Sequence, residues 1–178
     1  MLKLILVRHS LPDIIPTLPA RQWRLSSAGR QRCKPLADKL ASHQLDVIVA
    51  SVEPKAAETG QIVGDLLGKA CQTAKGLNEH ERSDVGWFES KERFEAAVAE
   101  FFARPRQLVF GGESADQAHQ RFSQAIARVM ERHPDQNVAV VSHGTVMTLC
   151  GAGGGAGAVS FLEAAGPARV RRVVLATA

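Results

Sequence analysis

Three runs of Val, Ile and Leu stand out along the chain: Leu2 to Val7, Asp46 to Ala50 (DVIVA) and Asn137 to Val141 (NVAVV). Each is short and apolar throughout, the pattern of a strand buried on both faces. Each also ends abruptly in polar residues: Arg8-His9-Ser10, Ser51, and Ser142-His143-Gly144. Two further strands are predicted at 70–74 and at Val170 to Leu175. Between them the period changes to that of helices. Ser26 or Ser27 caps a helix carrying Cys33, Leu36, Ala37 and Leu40 on one face, and Pro54 opens another that runs to about Leu67. Ser90 caps a helix to about Ala103. Ser114 caps a longer one to about Arg132, with Ala118, Phe122, Ala125, Ile126 and Val129 on a shared face.

Buried strands alternating with amphipathic helices predict a three-layer α/β/α sandwich with a mostly parallel sheet, a single domain over residues 1–178. In such folds ligands bind beyond the carboxyl ends of the strands, which gathers Arg8-His9, Ser51 and Ser142-His143 along one edge. Three stretches escape the pattern. Residues 11–25 hold Pro12, Pro16 and Pro19 and read as a loop. Residues 75–89 have no clear period and contain two clusters of ionisable groups. The run CGAGGGAGAVS at 150–160 is either a flexible loop or a tightly packed connection. Trp23, Trp87 and Phe88 either line a pocket or pack beside loops.

Composition narrows the class without choosing a function. Hydrophobic residues make up 45% and charged residues 22%, an ordinary globular balance. The net charge of +4 fits a mildly basic surface or a basic pocket for an anion. There is no dense basic run, no Tyr, and no aromatic residues interleaved with Arg or Lys, so nucleic-acid binding is not expected. The apolar run before Arg8 is too short for a secretory leader, and no segment approaches the roughly 20 apolar residues of a membrane helix. Three widely spaced cysteines, Cys33, Cys71 and Cys150, suit a reducing compartment, and the cytoplasm is the expected address.

Two histidines at the ends of buried strands, one beside an arginine, form a candidate anion site. At this point a family resemblance emerges. LILVRHS resembles the signature of the histidine phosphatase (phosphoglycerate-mutase-like) superfamily, in which a strand ends in Arg-His-Gly. WRLSSAGRQRCKPLADKL resembles its next loop and helix, and ASVEPKAAETG the start of its following helix. LNEHERSDVGWFES, GGES at 111–114 and VAVVSHGTVM resemble three further segments, all in the family's order from residue 2 to about 149.

The resemblance implies a metal-free, cofactor-free phosphatase in which His9 attacks phosphorus and forms a phosphohistidine. Arg8 and His143 are then expected to hold the phosphoryl oxygens, with Lys55 and Ser10 as further phosphate ligands. Glu79 is expected to protonate the leaving oxygen and then activate water. Glu81, two residues on, is either the neighbouring carboxylate that tunes Glu79 or the acid itself. The chain departs from the pattern at two of these positions. Lys55 stands where most members carry Arg, keeping the charge but losing the planar fork, so phosphate binding leans on other donors. Ser10 stands in place of Gly, where its hydroxyl either meets phosphate or restricts the turn. The Gly/Ala-rich run after His143 does not resemble the helix usual there.

The expected substrate is a small phosphorylated metabolite or a phosphoprotein. Two alternatives accompany this reading. A phosphoglycerate-type mutase usually has a longer insertion than residues 87–110, although Lys91, Arg93, Arg104 and Arg106 lie there. A pseudo-phosphatase would bind phosphorylated ligands without turnover, yet would have no use for Glu79. Neither substrate identity nor oligomeric state follows from the residues.

Overall fold

A computed structural model describes residues 2–82, 85, 86, 88–152 and 170–177. Trp87 and most of the Gly/Ala-rich run lie outside them. Five strands, β1 (Leu2–Arg8), β2 (Val47–Ser51), β3 (Ala70–Ala74), β4 (Val138–Ser142) and β5 (Val170–Thr177), form one sheet in the order β3-β2-β4-β1-β5. Every pairing is parallel. Five α-helices cross between them: α1 (Ser27–Ala41), α2 (Pro54–Leu67), α3 (Lys91–Ala103), α4 (Ala115–Arg132) and α5 (Gly144–Ala152).

Alternation along each strand divides the core into two layers. Leu4, Leu6, Val47, Val49, Val138 and Val140 face α4 and α5, meeting Phe122, Ile126, Val129 and Val146. Ile5, Val7, Ile48, Ala50, Ala139 and Val141 face α1 and α2, meeting Cys33, Leu36, Leu40 and Val63. The helices start where their caps predict. Ser26 and Ser90 accept from the backbone N–H groups of Gly29 and Arg93. Ser114 forms a reciprocal capping box with Gln117, the kind of cap that contributes about 1 kcal/mol.

Two elements were poorly marked in the sequence, each for a physical reason. β3 pairs with β2 alone and has no fully buried residue, so its sequence carries no apolar run. α5 follows His143 directly, where no helical pattern is apparent in the sequence. Its buried positions Val146, Met147 and Cys150 have helical spacing, but neighbouring glycines obscure it. Because β4 lies between β1 and β2, the sheet brings the carboxyl ends of these three strands side by side.

Candidate active site

The strand order alone brings the two histidines together. β1 and β4 are in register at Arg8 and Ser142, and the N–H of His9 extends the ladder by donating to the carbonyl of Ser142 at 2.9 Å. The rings of His9 and His143 lie 5.1 Å apart between centroids. His9 Nδ1 meets the carbonyl of Ser10 at 2.7 Å. A carbonyl only accepts, so Nδ1 carries the proton and Nε2 keeps its lone pair. His143 is fully buried, and its Nε2 lies 2.9 Å from the Ser51 hydroxyl at the end of β2. Its Nδ1 is buried with no hydrogen-bond partner among the described residues. Arg8 is exposed, and its guanidinium lies beside Gly144, 3.5 Å from where a Cβ at that position would stand.

Burial is the main cause that lowers the pKa of both imidazoles. His9 is brought down to about 4: burial and the charges of Lys55 and Arg8 outweigh the Ser10 carbonyl and Glu79, which act the other way. His143 is pushed well below its ordinary value by burial, with Lys55, His9, Arg82 and Arg121 adding to the effect. Both rings are therefore neutral at pH 7.

Glu79 enters from the loop between β3 and α3, and its carboxylate sits on the first turn of α5. Oε2 accepts from the N–H of Thr145 at 3.1 Å, and Oε1 from those of Val146 at 3.2 Å and His80 at 2.9 Å. A helix N-terminus is a natural seat for an anion, since its first N–H groups have no partners within the helix. Glu81 points elsewhere. Its side chain lies against Gly112, its N–H donates to Glu113 and its carbonyl accepts from the N–H of Gly112 at 2.7 Å. A carboxylate that does touch Glu79 is that of Glu53, whose Oε1 accepts from the Glu79 N–H at 2.8 Å.

The GGES segment explains how this loop is held. Gly111 has φ +78, and a Cβ there would lie 2.2 Å from the carbonyl oxygen of Glu81, so only glycine permits the contact. Glu113 pairs with Arg121 on α4. That guanidinium also donates to the carbonyls of Gly76, Asn78 and Glu79 at 2.9, 2.9 and 3.1 Å. Ser142 closes the other side, its hydroxyl donating to the Leu77 carbonyl at 2.7 Å.

Two expected phosphate ligands are placed differently from the others. The expected phosphate contact of Ser10 does not fit this geometry: its hydroxyl is buried and donates to the Gly29 carbonyl at 2.8 Å, while its N–H donates to Thr59. Lys55 stands at the site, but its ammonium is buried between Glu53 Oε2 at 2.5 Å and the Ala20 carbonyl at 2.7 Å. Glu53 occupies the N-cap position of α2 without capping it, because both carboxylate oxygens are directed to Lys55 and Glu79. Giving up a side-chain cap costs a helix about 1 kcal/mol, so the carboxylate is placed for the site and not for the helix.

Comparison with known proteins bears on what such a site belongs to. Residues 4–157 match the family model of the histidine phosphatase superfamily (branch 1). The chain belongs to this superfamily. It is 32% identical over 132 residues to phosphoglycerate mutase-like protein 4 of Arabidopsis thaliana, covering 69% of this chain and 56% of that protein. It is 27% identical over 133 residues to a metal-independent phosphoserine phosphatase of the same plant, covering 69% and 55%. The chain thus spans little more than half the length of these two relatives. Among solved structures, a mycobacterial glucosyl-3-phosphoglycerate phosphatase superposes with a TM-score of 0.65 at 23% identity, covering 81% of this chain and 74% of the other. That likeness shows the shared histidine phosphatase fold.

Reading the sequence missed Glu53, Arg82, Glu113 and Arg121 as parts of the site. Arg82 carried a signal, three residues after Glu79 in a loop rich in ionisable groups. Arg121 carried none, since its position on the long helix reads as an ordinary polar face.

Proposed function

We propose that this histidine phosphatase superfamily member hydrolyses small phosphate monoesters through a phosphohistidine on His9. The observation that carries the reading is the commitment of His9 Nδ1 to the Ser10 carbonyl, which leaves Nε2 as a neutral nucleophile beside Glu79 and His143. In the first step Nε2 bonds to phosphorus as the bond to the leaving oxygen breaks, and the proton of Glu79 passes to that oxygen. In the second step Glu79 takes a proton from water, whose oxygen attacks phosphorus and breaks the P–N bond. Phosphate leaves and Glu79 regains its proton.

Arg8 and His143 are assigned to the phosphoryl oxygens, where charge gathers during transfer. When Ser51 donates its hydroxyl proton to His143 Nε2, the imidazole proton sits on Nδ1, the buried atom without a partner. That tautomer turns His143 into a donor for phosphate. Lys55 contributes charge at short range, with its fork-less ammonium shared with Glu53.

The names of the relatives, phosphoserine and glucosyl-3-phosphoglycerate phosphatases among them, support a small phosphorylated metabolite as substrate. Three of the basic residues that would favour a mutase are paired on exposed surface: Lys91 with Glu95, Arg93 with Glu89 and Arg104 with Glu100. Among the described residues no helix is long and apolar enough to cross a membrane, and free Cys33, Cys71 and Cys150 suit the cytoplasm. We assign residues 1–178 to a single domain.

Hydrolysis of p-nitrophenyl phosphate in EDTA tests the reading. Wild-type activity is expected to survive chelation, to vanish in His9→Ala and to fall by about 10²–10⁴ in Glu79→Ala. Full activity in His9→Ala refutes it.

A further inference from the structure

We propose that Arg82 is a phosphate ligand of this site, supplying from the Glu79 loop the guanidinium that position 55 lacks. The inference rests on the phosphatase reading above and gives a role to a residue of the LNEHERSDVGWFES segment to which the resemblance assigned none.

Three observations lead to it. First, the cation at position 55 is already engaged. Lys55 is buried against Glu53 and the Ala20 carbonyl, so two of its three donors are used before a substrate arrives. Its net charge is also offset by the Glu53 carboxylate. A phosphoryl group carrying two negative charges then draws on Arg8, whose guanidinium lies beside Gly144, and a second free cation would offset the remaining charge.

Second, Arg82 reaches it. Its Nη2 stands 3.8 Å from Glu79 Oε2, which places the guanidinium beside the carboxylate seated on α5. That distance is too long for a hydrogen bond, so the donor is not used up by Glu79. The charge is felt at the buried His143 ring as well, among the cations that oppose its protonation.

Third, Arg82 holds a donor that its surroundings leave unmet. Nη1 is buried and has no hydrogen-bond partner among the described residues. The guanidinium is steadied by the Phe94 ring, 5.2 Å from its carbon. A ring face offers no lone pair, and a buried charged donor without an acceptor is costly. Among the described residues His80 Nδ1 is orphaned as well, and so is His143 Nδ1, which belongs with Arg82 here because its ring lies 5.1 Å from that of His9. One anion with several acceptor oxygens satisfies both, and a phosphoryl group has that shape.

The consequence for function is that substrate phosphate and the proton donor are gripped by one loop. Arg82 and Glu79 are three residues apart, and Gly111, Gly112 and Glu113 hold the segment between them from behind. Phosphate binding thereby fixes the position of the acid.

Titration calorimetry with inorganic phosphate tests this on the full chain, using wild type, Arg82→Gln, Arg82→Lys and Lys55→Gln. Arg82→Gln is expected to weaken phosphate binding by about 10- to 100-fold, the range of one charge-assisted contact. Arg82→Lys is expected to recover only part of it, because an ammonium cannot span two oxygens. Lys55→Gln is expected to weaken binding less than Arg82→Gln. Arg82→Lys keeps the charge over Phe94 and so reports even if Arg82→Gln folds poorly. Phosphate affinity within twofold of wild type in both Arg82 variants overturns the inference, as does a wild type that binds no phosphate. Phosphoenzyme formed from a labelled phosphate monoester and quenched in alkaline detergent, measured in parallel, separates the two readings. Phosphate binding that depends on Arg82 without a phosphohistidine would refute turnover and keep the ligand assignment. A phosphohistidine with Arg82-independent binding would do the reverse.

Discussion

Replacing Arg121 with alanine removes a single side chain that holds both an ion pair and three carbonyls of the Glu79 loop. Its guanidinium pairs with Glu113 and donates to Gly76, Asn78 and Glu79. Breaking a buried pair by deleting one partner costs about 3–5 kcal/mol, chiefly because the other charge is left without compensation. Here 24% of the Arg121 side chain and 13% of the Glu113 side chain are exposed, and Glu113 keeps the N–H of Glu81 as a donor. Water therefore recovers part of the loss, and about 2–4 kcal/mol is the expected cost. Denaturant melts measure it directly. The loop also loses its anchor, so kcat/KM for a phosphate monoester is expected to fall by at least about tenfold, since a misplaced proton donor forfeits much of its effect. The double variant Arg121→Ala/Glu113→Ala leaves no orphaned charge. It should be less destabilised than the sum of the two single variants by about 1–3 kcal/mol. Strict additivity, or unchanged kcat/KM in a folded Arg121→Ala, refutes the reasoning.

Other expectations follow from the same geometry. Gly111→Ala places a Cβ 2.2 Å from the Glu81 carbonyl at φ +78, so a loss of about 2–4 kcal/mol in thermal or urea melts is expected, with activity falling alongside; a wild-type melt contradicts the account of GGES. Ser51→Ala removes the hydroxyl beside His143 Nε2, which should cost about 1–3 kcal/mol of stability and lower kcat/KM; an unchanged enzyme means that the contact does not set the tautomer. For pH, the signs are fixed by burial. His9, His80 and His143 all have pKa values lowered below the ordinary 6.5, so between 6.5 and the native values the unfolded chain binds more protons. Their contribution is therefore undiminished above pH 6.5 and is lost as the pH falls below it towards each lowered pKa, about 4 for His9. For His9 the loss is about 3 kcal/mol, and His9→Asn should flatten the pH dependence of urea midpoints by that share; equal slopes refute it.

The fold was legible because its determinants are local. The buried strands Leu2–Val7, Asp46–Ala50 and Asn137–Val141 carry unbroken apolar runs, and each ends where a chemistry-bearing residue begins. β3 lies at an exposed edge and needs no such run, while the helical period of α5 is obscured by neighbouring glycines. In the site, Arg8, His9, Glu79 and His143 could be named because motif order marks them. Glu53 and Arg121 could not, because their roles depend on contacts with residues 26 and 42–45 positions away. The same distinction explains Ser10. Its proximity to His9 in sequence suggested phosphate, but the turn directs its hydroxyl to Gly29.

The most direct test of the central claim is the site of covalent phosphorylation. Enzyme quenched in alkaline detergent, digested and mapped by mass spectrometry under basic conditions after brief exposure to a labelled phosphate monoester in EDTA, should carry the label on His9. The label should accumulate in Glu79→Gln and be absent from His9→Ala. A label on any other residue, or turnover by His9→Ala, contradicts the account.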